Sequence, residues 1–316
     1  MLVWQLPDVS WRDLGPRWSA DSPWWLAGAA LTTAAALTLA AARWHRVASA
    51  MADPPAFPRM LSHFLAGQFV SNVLPSAFGG DVVRVARLGN DLGSSSVAFA
   101  TVTIDRMTGW LVLPLITLAA LAAQPDLLDH GSASATALAV SLATLALLVT
   151  VLATAANRRL GAGAHTATGW RQFLGAVHLG VDALRRRPTA AAGLIGTGLA
   201  FQSLQCVSVW MAARAIGLDE VDLGAALAFF PVAAIIQNAP IGLGGLGVRE
   251  GAFVLLFGAV GAPRGLSITL GLVVYGLTVA TSAFGAPAFA FGGRRRRSPA
   301  TTAPIGVDGP EGGPSS

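Results

Sequence analysis

Two glycine-containing segments interrupt an otherwise apolar chain and carry side chains that suit anion binding. In the first, SNVLPSAFGGDVVR, the pair Gly79 and Gly80 precedes Asp81 and Arg84, and Arg87 follows three residues later. The glycines permit a tight turn, Asp81 can cap the next helix, and the two arginines share one face of its first turns. A helix N-terminus backed by two guanidinium groups binds anions such as a lipid phosphate. The alternative is an ordinary helix cap at the cytoplasmic interface, with both arginines reaching the headgroups.

The second segment, GLGGLGVREG, places Arg249 and Glu250 shortly after Gly244 and Gly247. Together with Gly242, these glycines match the G-x-G-x-x-G fingerprint of dinucleotide-binding proteins. That interpretation is rejected, because no alternating strand and helix pattern surrounds the segment and no acidic residue follows about 20 positions later. A break permitted by glycine and followed by a half-helix accounts better for this sequence.

Charges inside apolar sequence need partners, because an unpaired charge at the centre of a membrane helix costs about 2.5 to 3.5 kcal/mol. The dipeptide of Asp105 and Arg106 interrupts TVTIDRMTGWLVL, which otherwise has the composition of a membrane span. It is either an ion pair at the membrane boundary or part of a buried network. The second hypothesis balances four residues across two halves of the chain, namely Asp81, Arg106, Arg249 and Glu250.

Uncharged polar residues near both interruptions extend the candidate site. Asn72 and Pro75 belong to the first interruption, and a polar group at that depth needs a hydrogen-bond partner. Gln202, Gln205 and Gln237 are interpreted as hydrogen-bonding between helices in preference to lining a cavity. The predicted substrate-binding residues are Asn72, Pro75, Gly79, Gly80, Asp81, Arg84, Arg87, Arg106, Gly244, Gly247, Arg249 and Glu250.

The composition is that of an integral membrane protein. Hydrophobic residues make up 53% of the 316 residues and charged residues only 12%, whereas about a quarter of the residues in soluble domains are charged. Several apolar runs reach roughly the 20 residues that an α-helix needs to cross the hydrocarbon layer. They are 22–43, 97–123, 134–156, 189–216 and 265–291. The sequence therefore predicts an all-α, polytopic transmembrane helical bundle.

Arginine positions predict the orientation of these helices. The chain has no lysine, its arginines cluster at the ends of the apolar runs, and short arginine-rich loops stay on the cytoplasmic side. Arg43 and Arg46, directly after the first run, are interpreted as such cytoplasmic anchors. The run Arg294 to Arg297 likewise predicts a cytoplasmic C-terminus. Because this clustering is a topology signal, no nucleic-acid partner is predicted.

Counting the crossings leaves two regions that do not span. The connections 124–133 and 217–222 contain acidic residues and no arginine, so they are placed outside. Regions 55–92 and 223–262 must then each begin and end on one side of the membrane. Each is predicted to be a broken or re-entrant element, and the two halves are predicted to be inverted. Their breaks are expected to meet in a polar cavity, since nonhelical backbone at membrane depth needs one.

The chain is predicted to divide into five parts. The segment after the first half has apolar residues at helical spacing and an arginine-rich end, and the last segment is rich in Pro, Gly, Ser and Thr. The parts are a Trp-rich interfacial leader (1–21), a first membrane half (22–156), a cytoplasmic, Arg-rich amphipathic connector (157–188), a second membrane half (189–293) and a disordered cytoplasmic tail (294–316).

Motifs of soluble enzymes are absent from the sequence. The five histidines are scattered singly, and neither a metalloprotease motif, nor a nucleophile elbow, nor a P-loop occurs. No metal, no cofactor and no enzymatic activity is therefore predicted. The oligomeric state is left open.

Four segments carry a resemblance to a known family. In chain order, RWHRVASAM, FLAGQFVSNVLPSAFGGDVVRVARL, TIDRMTGWLVLPL and NAPIGLGGLGVREGAFVLLF resemble the lysylphosphatidylglycerol synthase transmembrane region, also described as a flippase-like family. The resemblance covers roughly residues 22–291. Members that aminoacylate lipid carry a soluble transferase domain after the membrane part, so transferase activity is not expected here. Members usually begin with one more span, where this chain has the Trp-rich leader.

The resemblance implies an integral protein of the cytoplasmic (inner) membrane that handles a lipid. The expected function is translocation of an anionic, aminoacylated or polyprenyl-linked lipid. One alternative is a membrane enzyme that acts on a lipid-linked sugar, with Asp81 or Glu250 as the base. Another is an accessory subunit that holds a lipid-modifying enzyme or glycosyltransferase in the membrane.

Overall fold

The protein is an all-α bundle. The computed structural model describes residues 14–73, 79–156, 170–238 and 247–291, and no β-strand occurs within these ranges. The elements are α1 (Ser22–Met51), α2 (Phe57–Val73), α3 (Gly79–Leu92), α4 (Ser95–Ala123), a 3-10 helix (Pro125–Asp129), α5 (Ser132–Ala156), α6 (Trp170–Arg185), α7 (Pro188–Ala215), α8 (Leu223–Gln237), α9 (Val248–Gly258), α10 (Arg264–Ser282) and α11 (Gly285–Phe291). The predicted helical fold class is confirmed.

Five of the described helices, α1, α4, α5, α7 and α10, are long and apolar enough to cross a membrane. They coincide with the five apolar runs of the sequence. The first helix is longer than its apolar run, because α1 continues to Met51 and contains Arg43 within it. Arg43 is 5% exposed, so its interpretation as a cytoplasmic anchor after the span is wrong. Its guanidinium group has a buried partner on α4, described below.

The apolar run 265–291 forms two helices, α10 and α11, with a turn at Ala283 and Phe284. A Cβ atom at Gly285 would overlap the carbonyl oxygen of Leu65. The glycine therefore allows the backbone of α11 to lie directly on α2. Such a close approach cannot be read from the hydropathy of the run, which is uniform across the turn.

Two apolar clusters hold the bundle together. One packs α8, α9 and α10 against α4 and α7, with Phe229, Phe253 and Phe257 among its buried side chains. The other joins α1, α2, α3 and α4 around Trp44 and Met60. Both clusters include residues of α1 and α4, so these two helices belong to both cores.

Region 55–92 forms a helical hairpin of α2 and α3. Arg59, near the start of α2, pairs with Asp91, near the end of α3, at 2.6 Å between Nη2 and Oδ1. At the other end of the pair, the Gly67 carbonyl and the Ser71 hydroxyl lie against Gly80. The contacts therefore run in antiparallel order, and the region begins and ends at the same end of the bundle.

Region 223–262 forms a second pair of short helices, α8 and α9. Asp222 caps α8 by accepting a hydrogen bond from the Ala225 N–H at 2.7 Å. Phe230 of α8 and Phe253 of α9 pack edge to face, with ring centroids 6.3 Å apart. The two predicted interruptions, 74–78 in the first pair and 239–246 in the second, lie outside the described residues.

The described part of the leader packs on the bundle. The Arg17 N–H donates to the Ile216 carbonyl at 2.9 Å, and the Thr269 hydroxyl donates to the Leu14 carbonyl at 2.7 Å. Trp18, in the same segment, is exposed. Residues 1–13 and the predicted tail 294–316 lie outside the described residues.

Helix α6 occupies the predicted connector and is amphipathic. It buries Leu174 and Val177 beside Ala155 of α5. Gln172, near its start, and Arg185, at its end, are both exposed.

The close approach of α2 and α3 generates the first prediction. Gly80→Ala should lower the melting temperature in detergent, because the added Cβ atom overlaps the Gly67 carbonyl and the Ser71 hydroxyl. Overpacking of this kind costs about 1 to 3 kcal/mol. Gly196→Ala on α7 is the matched control, since a Cβ atom there meets nothing within 4 Å. Equal melting temperatures for the two variants would contradict the backbone contact between α2 and α3.

Candidate functional site

A polar cavity of about 350 Å³ lies inside the bundle. Residues from α1, α2, α3, α4, α7, α8, α9 and α10 line it. Asn72 and Gly80 stand on either side of the first interruption, and Asn238 and Arg249 on either side of the second, and all four line this cavity. The described residues next to both interruptions therefore converge. The volume is at the lower end of the range of about 300 to 1,000 Å³ found for ligand pockets.

Asp105 is the most deeply buried charge of the cavity wall. It lies on α4 and is 1% exposed. Its Oδ1 accepts a hydrogen bond from Arg43 Nε at 2.8 Å, and its Oδ2 accepts one from Arg84 Nη2 at 2.7 Å. One carboxylate thus joins α1, α3 and α4. Both contacts are charge-assisted hydrogen bonds, which are shorter and stronger than neutral ones.

Asp81 extends this cluster towards the cavity. Its Oδ1 lies 3.4 Å from Arg84 Nη1, and its Oδ2 pairs with Arg106 Nε. The Arg106 side chain is 32% exposed, whereas that of Arg84 is 8% exposed. The charges alternate along the line Arg43, Asp105, Arg84, Asp81 and Arg106, so each buried carboxylate has two cationic neighbours.

Aromatic rings fix the two buried guanidinium groups. The Arg84 guanidinium carbon lies 4.2 Å from the ring centroid of Trp44 and 5.0 Å from that of Phe64. Trp44 is itself oriented, because its Nε1 donates to the Thr101 hydroxyl at 3.1 Å. The Arg43 guanidinium carbon lies 5.3 Å from the ring centroid of Phe201. Contacts of a guanidinium with an aromatic face add stabilisation when the group is desolvated.

The second interruption contributes a separate ion pair. Arg249 Nη2 lies 2.9 Å from Glu250 Oε1. Glu250 Oε2 also accepts a hydrogen bond from the Gly247 N–H at 2.6 Å, so the carboxylate caps the start of α9. Gly247 has a φ of +87°, a conformation that favours glycine. The glycine and the acid together set the position of Arg249.

Helix α10 contacts residues that flank both interruptions. Its Tyr275 ring lies under the Arg249 guanidinium, 5.0 Å from ring centroid to carbon. The Tyr275 hydroxyl donates to the Asn72 carbonyl at 3.0 Å. Asn72 Nδ2 in turn donates to the Ser282 hydroxyl at 2.9 Å. The residues that flank the first interruption are therefore tied through α10 to those that flank the second.

Comparison with known proteins identifies the family. The family model described as "Lysylphosphatidylglycerol synthase TM region" matches residues 1–285. The chain belongs to this family. A UPF0104 membrane protein of Methanothermobacter thermautotrophicus is 31% identical to it over 98 residues, which is 31% of this chain and 28% of that relative. The match thus spans less than a third of the relative's length. No solved structure matches the chain.

Six of the predicted site residues line the cavity of this family member. They are Asn72, Gly80, Asp81, Arg84, Arg106 and Arg249. Four others are described but are not among the lining residues. Gly79 begins α3, Gly247 precedes α9, Glu250 holds Arg249, and Arg87 donates to the Phe289 carbonyl at 2.9 Å. Pro75 and Gly244 lie outside the described residues.

The charge pairing differs from the hypothesis of a network across both halves. Asp81 pairs with Arg106, and Glu250 pairs with Arg249, each within its own half. Sequence reasoning also left Arg43 and Asp105 out of the predicted site. In the sequence, Asp105 is recognisable as a charge inside an apolar run, and Arg43 as an arginine at the end of an apolar run. Neither feature predicts that these two residues form an ion pair.

Four glutamines also line the cavity, and for Gln202, Gln205 and Gln237 this differs from their interpretation as contacts between helices. Gln68 lies on α2, Gln202 and Gln205 on α7, and Gln237 at the end of α8. None of these side chains forms a hydrogen bond with the rest of the described chain. Their carboxamide groups are therefore available to whatever enters the cavity.

The buried carboxylate of Asp105 generates the second prediction. Asp105→Asn should lower the free energy of unfolding by about 3 to 5 kcal/mol, because it leaves two buried guanidinium groups without their shared charge. Asp219→Asn is the control, since Asp219 pairs with Arg214 at 2.6 Å but its side chain is 74% exposed. An exposed pair contributes about 0 to 1 kcal/mol. Denaturation in detergent micelles measures both variants, and equal losses would contradict the role of Asp105.

Proposed function

We propose that this protein translocates a lipid across the cytoplasmic (inner) membrane. In this proposal the headgroup enters the polar cavity while the hydrophobic tail stays in the bilayer. The observation that carries the proposal is the cavity itself, because residues flanking both interruptions line it within an apolar bundle. A polar headgroup crossing hydrocarbon without partners meets a cost of several kcal/mol, and a polar cavity lowers that barrier.

The charge of the cavity favours an anionic headgroup. The arginines that line it outnumber the carboxylates, and the lining charges are Arg43, Arg84, Arg106, Arg249, Asp81 and Asp105. Glu250 adds one further carboxylate beside Arg249 and leaves the excess positive. Three buried atoms, Arg43 Nη1, Arg84 Nε and Arg249 Nε, have no acceptor among the described residues. A phosphate near these guanidinium groups would compensate charge that the protein leaves uncompensated.

The helix arrangement supports alternating access between two inverted halves. The first half contains the α2 and α3 hairpin and the second contains the α8 and α9 pair, each set between long apolar helices. Inverted halves with breaks that meet near the midplane are the plan of many transporters. In the proposed orientation the arginine-rich segments, including 294–297, lie in the cytoplasm with the C-terminus.

The contacts of Asp81 and Glu250 favour transport over base catalysis on a lipid-linked sugar. Asp81 pairs with Arg84 and Arg106, and Glu250 both pairs with Arg249 and caps α9. A carboxylate that acted as a general base would have to leave these contacts, which are charge-assisted hydrogen bonds and therefore strong. We therefore propose a structural and binding role for both acids, and place any covalent chemistry on the lipid in a separate lipid-modifying enzyme or glycosyltransferase.

A proteoliposome assay tests the proposal. Purified protein should accelerate the exchange of acyl-labelled anionic phospholipid between leaflets, measured by quenching the label in the outer leaflet. Arg249→Gln should slow this exchange on the order of ten-fold or more, because it removes a charge-assisted hydrogen bond to the headgroup. Arg214→Gln is the control, since Arg214 pairs with the exposed Asp219 and does not line the cavity.

Two outcomes would contradict lipid translocation. One is exchange no faster than in protein-free vesicles, with protein whose melting temperature shows that it is folded. The other is an Arg249→Gln variant that exchanges lipid at the rate of the Arg214→Gln control.

A further inference from the structure

We infer that the headgroup taken into the cavity carries a phosphate and several hydroxyl groups, and that it lacks an ammonium group. This inference rests on the proposed lipid translocation and adds the chemical class of the headgroup. It separates hydroxyl-rich headgroups, such as a glycerol, cyclitol or sugar phosphate, from aminoacylated ones.

Four glutamine carboxamides line the cavity. Gln68, Gln202, Gln205 and Gln237 come from three helices, and all line the same space. Gln202 and Gln205 are three residues apart on α7, so they share one face of that helix. Gln202 is 9% exposed, yet its side chain forms no hydrogen bond with the described chain. The four carboxamides line the cavity and have no partner in the described chain, so a ligand that enters the cavity can hydrogen-bond with them.

Hydroxyl groups complement these carboxamides. Each carboxamide offers one carbonyl acceptor and two N–H donors, and a hydroxyl can both donate and accept. A headgroup with neighbouring hydroxyls can therefore satisfy both ends of one glutamine. Several glutamines around one cavity match several hydroxyls on one headgroup.

An ammonium group matches the cavity poorly. It only donates hydrogen bonds and prefers carboxylates. The two carboxylates of the lining, Asp81 and Asp105, already accept from Arg84, Arg106 and Arg43. Because arginines outnumber acids in the lining, an ammonium group would also meet net electrostatic repulsion there.

Aromatic residues supply the remaining surface. Trp110 and Phe230 line the cavity together with the glutamines. Ligand sites that recognise a compact polar molecule combine apolar or aromatic walls with a few polar groups that fix its orientation. The apolar C–H face of a cyclitol or sugar ring can lie on such a wall while its hydroxyls reach the carboxamides.

A panel of lipids with one acyl label and different headgroups tests the inference in proteoliposomes. Phosphatidylinositol and phosphatidylglycerol should exchange at least five-fold faster than lysylphosphatidylglycerol and phosphatidylcholine. Gln202→Leu and Gln205→Leu should each slow phosphatidylinositol at least three-fold and leave phosphatidate, which lacks headgroup hydroxyls, within two-fold of the unaltered protein. Gln172→Leu is the matched control, since Gln172 is exposed on α6 and does not line the cavity.

A second measurement reads binding without transport and distinguishes a lipid headgroup from a free phosphate. In detergent, myo-inositol 1-phosphate should raise the melting temperature more than inorganic phosphate or phosphoethanolamine, and Gln202→Leu should abolish this difference. Selective transport of phosphatidylinositol without stabilisation by the soluble compound would support the inference with an intact lipid as the ligand. Stabilisation that depends on Gln202, without movement of any lipid, would support the headgroup class and contradict translocation.

Three results would overturn the inference. They are exchange of all headgroups at one rate, faster exchange of lysylphosphatidylglycerol than of phosphatidylinositol, and no selective effect of the glutamine substitutions in either measurement. In each case lipid exchange above the rate of protein-free vesicles would leave the proposed translocation standing.

Discussion

A buried carboxylate that must hold two buried guanidinium groups is the constraint on which this structure depends. Asp105 is 1% exposed and joins Arg43 of α1 to Arg84 of α3. Taking charges out of water costs several kcal/mol per ion, and only good geometry with further hydrogen bonds compensates for it. Trp44 and Phe64, which cover the Arg84 guanidinium, contribute to that geometry. The three helices consequently have one favourable arrangement, and any other would leave a charge without a partner.

This constraint explains how an apolar bundle keeps a polar interior. The long helices supply apolar surface, while the short helices on either side of each interruption contribute polar and charged residues to the cavity wall. Gly80 lets α3 lie directly on α2, and the capping of α9 by Glu250 places Arg249 at the cavity. Tyr275 contacts both Asn72 and Arg249, which flank the two interruptions. Rigid helices hold the charges, and the carboxamides remain open to a ligand.

Much of the fold could be predicted from the sequence, because span length and apolar composition are local properties. The five long helices follow from apolar runs, and the short helices α2, α3, α8 and α9 lie on either side of the predicted interruptions. Pairing could not be predicted, since it depends on which helix faces meet in space. Arg43 illustrates this limit, because an arginine at the end of an apolar run is typical of a topology anchor, yet here its partner lies 62 positions away. The glutamines illustrate it too, since no sequence pattern distinguishes a helix face that opens to a cavity from one that packs on a neighbour.

The residues that flank the two interruptions line one cavity and meet through α10, and cross-linking between α2 and α10 tests the α2 side of this arrangement most directly. With the native Cys206 replaced by Ala, the pair Asn72→Cys and Ser282→Cys should be joined by a short bifunctional thiol reagent, because these side chains lie 2.9 Å apart between Nδ2 and Oγ. Mass spectrometry of the digested protein in native membranes should recover the linked peptides. The pair Asn72→Cys and Thr136→Cys, with Thr136 partly exposed on α5, should remain unlinked. Failure of the first pair to link, while both cysteines react singly with the same reagent, would contradict the contact of α2 with α10 through which the residues flanking the two interruptions meet.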